Sequence, residues 1–334
     1  MAEQPDFREA LQTALARTLG DVESMGELVR LSGGASQETW AFTLTTKSAT
    51  TTSYILRRAP GGAATSGGVG AAIGLPTEAG VIEAARAAGV AAPAVIYVLK
   101  PEDGAGVGYV MARIEGETLA RKILRDTAFD AVRPNLAAQC GEAMARIHAT
   151  PLDHLPALPR VDGQAQLRQY YDRYQSYDQP KPVFELAFKW LQNNLKERSQ
   201  LVLVHGDFRN GNIMVHERLG LNAVLDWELA HIGDPLEDLG WICVNSWRFG
   251  VTGRTAGGLG SIEDLLTGYT AAGGEAFRPE DVKVWEVFGT LKWGIMCMSM
   301  YEVFRTGFDR SVERAAIGRR SSETEIDLVN LLIG

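Results

Sequence analysis

Residues 201–239, LVLVHGDFRNGNIMVHERLGLNAVLDWELAHIGDPLEDL, leave the rest of the chain little freedom. The run opens at 201–204 with short, apolar, β-rich residues, the pattern of a buried strand. A tight polar loop at 205–212 follows, then a second apolar run at 213–215. A turn at 218–220 leads to a third run at 223–225, which ends in the acids Asp226 and Glu228. Asp207, Asn212 and Asp226 are therefore carried on the ends of strands.

Asp207 and Asn212 stand five positions apart, and Asp226 follows fourteen residues later. The first interval is that of the acid and the metal-binding Asn in the kinase loop H-R-D-x-x-x-x-N. Asp226 falls where the second metal-binding Asp of a kinase would lie. Phosphoryl transfer needs a carboxylate to orient the attacking hydroxyl and oxygen ligands to hold Mg2+ on the phosphates. A single loop Asp or Asn is more often a turn former or cap, but these three together make up the set the reaction requires.

HGDFRNGNIM followed by VLDWELAHIGDP resembles the aminoglycoside phosphotransferase and choline kinase superfamily. The DWE and GDPLEDL wording is most similar to the kinase-like domains found beside, or fused to, acyl-CoA dehydrogenases. The resemblance implies a bilobal α+β, protein-kinase-like fold. An antiparallel sheet lobe with one main helix would occupy residues 1–113, and a mainly helical lobe with the catalytic loop and acceptor site residues 114–334. It also implies ATP or GTP, Mg2+ and a small-molecule hydroxyl acceptor. Asp207 would be the catalytic carboxylate and Arg209 a positive charge near the transferred group. Asn212 and Asp226 would be the metal ligands, with Glu228 a further metal or supporting group and His205 a brace for the loop.

The N-terminal half supplies the matching parts. Residues 1–20 read as a helix with Leu11, Leu15 and Leu19 four apart. Residues 29–42 read as strand, glycine turn, strand. The small residues Ser32, Gly33, Gly34, Ala35 and Ser36 would let backbone N–H groups approach phosphate. A kinase places a Lys on the next strand; here residues 53–58 offer Arg57 or Arg58, and the resemblance favours Arg57. Glu78, on the first turn of a helix at 77–89, would be its ion-pair partner. The Gly/Ala/Ser-rich segment 59–76 reads as a loop and a candidate lid. Strands at 94–99 and 108–112 follow, and the backbone from Met111 to Arg113 would meet the nucleotide base.

The C-terminal half reads as helices at 129–149, 164–199 and 309–333. Tyr170, Tyr171, Tyr174 and Tyr177 form an aromatic stripe of core or acceptor-pocket character, as do Trp241, Trp247, Trp285 and Trp293. Asp234 before Pro235 reads as a helix cap, Asp238 as a bond acceptor for the catalytic loop, and His148 as a core or capping residue.

A net charge of −8 argues against nucleic acid or anionic membrane as partner. Three widely spaced cysteines suit a reducing cytoplasm, and neither a signal peptide nor a spanning helix is legible. A protein kinase is disfavoured by the lack of DFG and A-P-E segments. An aminoglycoside acceptor and a nucleotide-binding pseudokinase with an interaction role are the alternatives. Similarity to the dehydrogenase-associated branch implies a hydroxyacyl thioester or another small alcohol as the acceptor.

Overall fold

The structure, a computed structural model, describes residues 6–31, 37–62 and 72–333. The glycine-turn residues 32–36 and positions 63–71 of the 59–76 loop lie outside the described residues.

The first lobe runs α1 (Arg8–Leu19), β1 (Val22–Met25), β2 (Val29–Arg30), β3 (Glu38–Thr46), β4 (Thr51–Arg58), α2 (Leu75–Ala87), β5 (Val95–Val98) and β6 (Gly108–Ala112). The strands form one sheet in the order β1-β3-β4-β6-β5, with β2 also on β3. All pairings are antiparallel. Phe7, Leu11 and Leu15 of the N-terminal segment pack with Phe42, Leu44, Leu56 and Val110 on one side of the sheet. Leu19 is more than a third exposed and lies outside that core.

Successive strand side chains point to opposite faces, and this separates the two arginines. Arg58 turns toward α1, with its guanidinium 3.9 Å from the Phe7 ring centroid and bonds to Ala105 O and Glu38. Arg57 turns the other way, toward α2 and the interlobe cleft.

The second lobe holds α3 (Ala120–Arg125), α4 (Leu136–His148), α5 (Gly163–Gln175), α6 (Pro182–Asn194), β7 (Val202–Val204), β8 (Ile213–His216), β9 (Gly220–Val224), β10 (His231–Gly233), α7 (Leu236–Trp241), α8 (Ile262–Ala271), α9 (Pro279–Arg305), α10 (Val312–Arg319) and α11 (Ser321–Ile333). The short strands pair as two ribbons, β7 with β10 and β8 with β9. α4 and α8 touch backbone to backbone at two glycines. A Cβ at Gly141 would strike Leu265 O, and one at Gly268 would strike Ala138 O.

Two sequence expectations shift. The helix expected over 129–149 starts only at Leu136, behind short 3-10 turns at Thr127–Phe129 and Arg133–Asn135. Pro134 has no N–H to give a continuous helix. The C-terminal segment is two helices, broken at Arg320. No helix among the described residues is long and apolar enough to cross a membrane. The three cysteines are free and buried.

Candidate active site

The loop between β7 and β8 is gripped from beneath by α7. Asp238 Oδ2 accepts the His205 N–H at 2.7 Å, and its Oδ1 accepts the Gly206 N–H at 2.9 Å. His148 continues the chain, with Nε2 3.2 Å from Asp238 Oδ2 and Nδ1 2.8 Å from the Tyr269 hydroxyl. Burial opposes ionisation of Asp238, but His148 and the loop N–H groups outweigh it and hold the carboxyl below its usual range. Gly206 has φ +79°, and a Cβ there would strike the Leu229 carbonyl, so the loop needs glycine at this point.

His205 braces the same loop. Its Nε2 donates to Leu225 O at 3.0 Å, and its Nδ1 accepts the Asp207 N–H at 3.2 Å. That pattern demands a neutral ring, and full burial pushes the imidazole pKa down despite the nearby carboxylates. The contact to Leu225 ties the loop to the segment bearing Asp226.

The Asp207 carboxylate lies above this frame with three donors on it. Asn212 Nδ2 reaches Oδ2 at 2.6 Å. Arg209 Nε spans both oxygens at 3.1 and 3.2 Å. Trp241 Nε1 reaches Oδ1 at 2.7 Å. Arg209 therefore sits on the carboxylate, with its guanidinium 4.7 Å from the Trp247 ring centroid. Asn212 spends its amide N–H on Asp207, which leaves its carbonyl oxygen as a donor toward the cleft.

Asp226 adopts φ +66°, a conformation Asp tolerates better than most residues. Its Oδ1 accepts from Arg57 at 2.9 Å. The same guanidinium lies 3.5 Å from Glu78 and 3.9 Å from Glu228, so Arg57 is the hub of three acids. Burial raises the Glu78 carboxyl to about 7, against the pull of Arg57, and the Tyr109 hydroxyl bonds to it. Arg57 Nε is buried and has no hydrogen-bond partner among the described residues.

Arg57, Met111, Arg113, Asn212 and Asp226 all line one interlobe cavity of about 360 Å3, walled by Ile55, Ile82, Val224 and Leu225. The N–H groups of Ala112 and Arg113 are already spent on Ala94 O and Ser53 O.

A second cavity of about 400 Å3 opens beside Gly206 and Leu229. Its walls are apolar at Ile73, Val161, Leu229 and Met296, and polar at Gln166, Tyr170, Arg173, His231 and Lys292; no Asp or Glu is among the described residues that line it. Of the tyrosine stripe, Tyr170 faces this cavity and Tyr174 is core. Beneath it Glu237 bonds Lys292 at 3.0 Å, His231 at 3.1 Å and Gln166 at 2.9 Å. Burial would raise the Glu237 carboxyl, but these partners reverse the effect and hold it well below the carboxylate range. Asp234 accepts the Leu236 N–H at 2.9 Å at the start of α7, one position before the N-cap Pro235.

Sequence reasoning read Trp241, with Trp247, Trp285 and Trp293, as core or acceptor-pocket lining and passed over Tyr109 and Lys292. For Trp241 a signal existed: it lies three residues after Asp238, on the same face of α7. Tyr109 and Lys292 carry none, because their partners are more than thirty positions away in sequence.

The profile of the phosphotransferase enzyme family (APH) matches residues 27–275. Acyl-CoA dehydrogenase family member 10 of Mus musculus is 28% identical over 257 residues, 71% of this chain and 22% of that protein. Acyl-CoA dehydrogenase family member 11 of Gallus gallus is 34% identical over 167 residues, 46% of this chain and 20% of that protein. The chain thus spans about a fifth of the length of these relatives. Among solved structures, a Ralstonia eutropha protein superposes with TM-score 0.73 at 19% identity over 97% of each chain. The GDP complex of aminoglycoside 2'-phosphotransferase-IIIa gives 0.63 at 14% identity, covering 96% of this chain and 99% of that one. A choline/ethanolamine kinase family protein from Mesorhizobium loti gives 0.62 at 20%, covering 97% and 94%. These structures share the kinase-like bilobal fold.

Proposed function

Because the chain belongs to the APH phosphotransferase enzyme family, we propose that it is an ATP- and Mg2+-dependent small-molecule kinase acting on an alcohol. The observation that carries this reading is the Asp207–Asn212 contact at 2.6 Å on the rim of a cleft that Asp226 and Arg57 also line.

The residues suit the groups this reaction uses. Asn212 Oδ1 and the second oxygen of Asp226 are hard donors of the kind Mg2+ takes alongside phosphate and water. Arg57 is a largely buried cation on the wall of this cleft, suited to an anion there. Bound Mg·ATP supplies the phosphoryl group and a cation that neutralises charge on its oxygens. Asp207 accepts a hydrogen bond from the acceptor hydroxyl and aims its oxygen, and Arg209 adds positive charge beside it. The lobes would divide near residue 113.

The acceptor would enter through the second cavity. Its apolar walls, its Arg173 and Lys292 and its lack of lining carboxylates suit a neutral or anionic hydroxylated molecule better than a polycation. A hydroxyacyl thioester or another small alcohol fits that description; an aminoglycoside fits it poorly. The test is ADP release across a panel of hydroxyacyl-CoA thioesters, choline, homoserine, sugars and aminoglycosides. We expect turnover with an uncharged or anionic alcohol, abolished in Asp207→Asn. Near wild-type turnover in that variant would overturn the catalytic assignment, and a preference for aminoglycosides would overturn the acceptor reading.

A further inference from the structure

Asp207 presents a geometric difficulty to any reading that makes it catalytic. Its side chain stands on a loop, and two of its three hydrogen-bond donors have other duties. Asn212 is the candidate metal ligand. Arg209 is a long side chain about a quarter exposed, bound evenly to both carboxylate oxygens. It occupies a side that an incoming hydroxyl would need, so it must be able to move. Asn212 holds Oδ2 through its amide N–H, so once Arg209 moves the position of Oδ1 rests on the remaining donor.

The third donor cannot move. Trp241 ends α7 and is 2% exposed. Lys292 Nζ lies 4.8 Å from its ring centroid and is itself bonded to Glu237, four residues before Trp241 on the same helix. Trp247 packs against the indole with ring centroids 5.3 Å apart. Burial disfavours a charged Lys292, but Glu237 more than compensates and keeps the ammonium charged over the ring. The indole N–H donates to Asp207 Oδ1 at 2.7 Å. α7 thus holds the loop twice on one face: Asp238 fixes its backbone and Trp241, three residues on, fixes its carboxylate.

We propose that Trp241 is the positioning residue of Asp207: its buried indole N–H anchors Oδ1 while Asn212 holds Oδ2, so the carboxylate keeps its aim on the acceptor hydroxyl when Arg209 swings away. This rests on the kinase reading of the site but adds a residue that reading did not require. A substrate molecule need never touch Trp241. Its loss should therefore be felt in the rate of turnover and not in nucleotide binding.

Two measurements test it. The first compares wild type with Trp241→Phe and with a variant carrying benzothienylalanine at 241, an isostere with sulfur in place of N–H. Both keep the packed ring under Lys292. We expect kcat to fall about 10- to 100-fold in both, as for loss of one hydrogen bond to a charged group, with KM for ATP within about twofold of wild type. A kcat within twofold of wild type in the isostere overturns the proposal; wild type inert toward every acceptor overturns the kinase reading instead. The second measurement needs no acceptor. In 15N-indole spectra the Trp241 proton, assigned from Trp241→Phe, should move upfield in Asp207→Ala; an unmoved resonance refutes the contact.

Discussion

Arg57 of β4 donates to Asp226 at 2.9 Å across 169 positions of sequence and so ties the sheet lobe to the loop that follows β9. The guanidinium neutralises a carboxylate that would otherwise be free to hold a cation. It therefore competes with a bare metal ion, yet it offers charge to a phosphate. Removing it should act with opposite signs on the two ligands. In Arg57→Met we expect Mn2+ alone to bind several-fold tighter and Mg·ATP about 10-fold or more weaker, given the strength of charge-assisted contacts. Titration calorimetry with each ligand checks this, and a parallel change in both would contradict it.

Glu78 gives a pH prediction. Burial raises its folded-state pKa to about 7 from a reference of 4.5. The folded state therefore holds this proton more tightly than the unfolded chain. The stability from this group is complete below about pH 4.5 and is lost as pH rises through about 7. Glu78→Gln removes that loss. Relative to wild type the variant should gain stability between pH 5 and 8, on the order of 1 to 3 kcal/mol at the top of that range. Urea midpoints measured across this range would show it; parallel curves for the two proteins would refute it.

Gly141 tests the helix packing behind the site. A methyl group there meets the Leu265 carbonyl, which belongs to a helix backbone and cannot swing aside. Gly141→Ala should cost more than about 3 kcal/mol or prevent folding, as overpacking against backbone does. Gly253 has nothing within 4 Å of the corresponding point, so Gly253→Ala should leave the thermal midpoint nearly unchanged. Equal midpoints for the two variants would show that α4 and α8 can part.

Asp238 is buried and accepts two backbone N–H groups and a histidine. An asparagine has one acceptor oxygen and turns an N–H toward one of those donors. Asp238→Asn should lower stability by about 2 to 3 kcal/mol, the cost of leaving a buried donor unmet. Chemical denaturation followed by circular dichroism measures it. No change would mean that the loop is held by other contacts.

Much of this was legible in the chain because the chemistry sits in one short run. The loop at 205–212, its flanking strands and the acid at 226 lie within about two dozen residues, and local pattern fixes their order. The alternation of β4 likewise separates Arg57 from Arg58 once its strand character is read. The helix expected over 129–149 failed where Pro134 outweighed an apolar periodicity that runs through it. β10, three residues long, carried too short a pattern to be marked.

The sequence by itself determined which donor atoms are present and the local turns that carry them, because spacing along a strand or helix is set by backbone geometry. Only the tertiary structure decided which of those atoms meet: Arg57 with Asp226, Trp241 with Asp207, Lys292 over Trp241. Such partners lie tens to hundreds of positions apart, and nothing in the local chain encodes a contact that forms only when two packed surfaces close on each other.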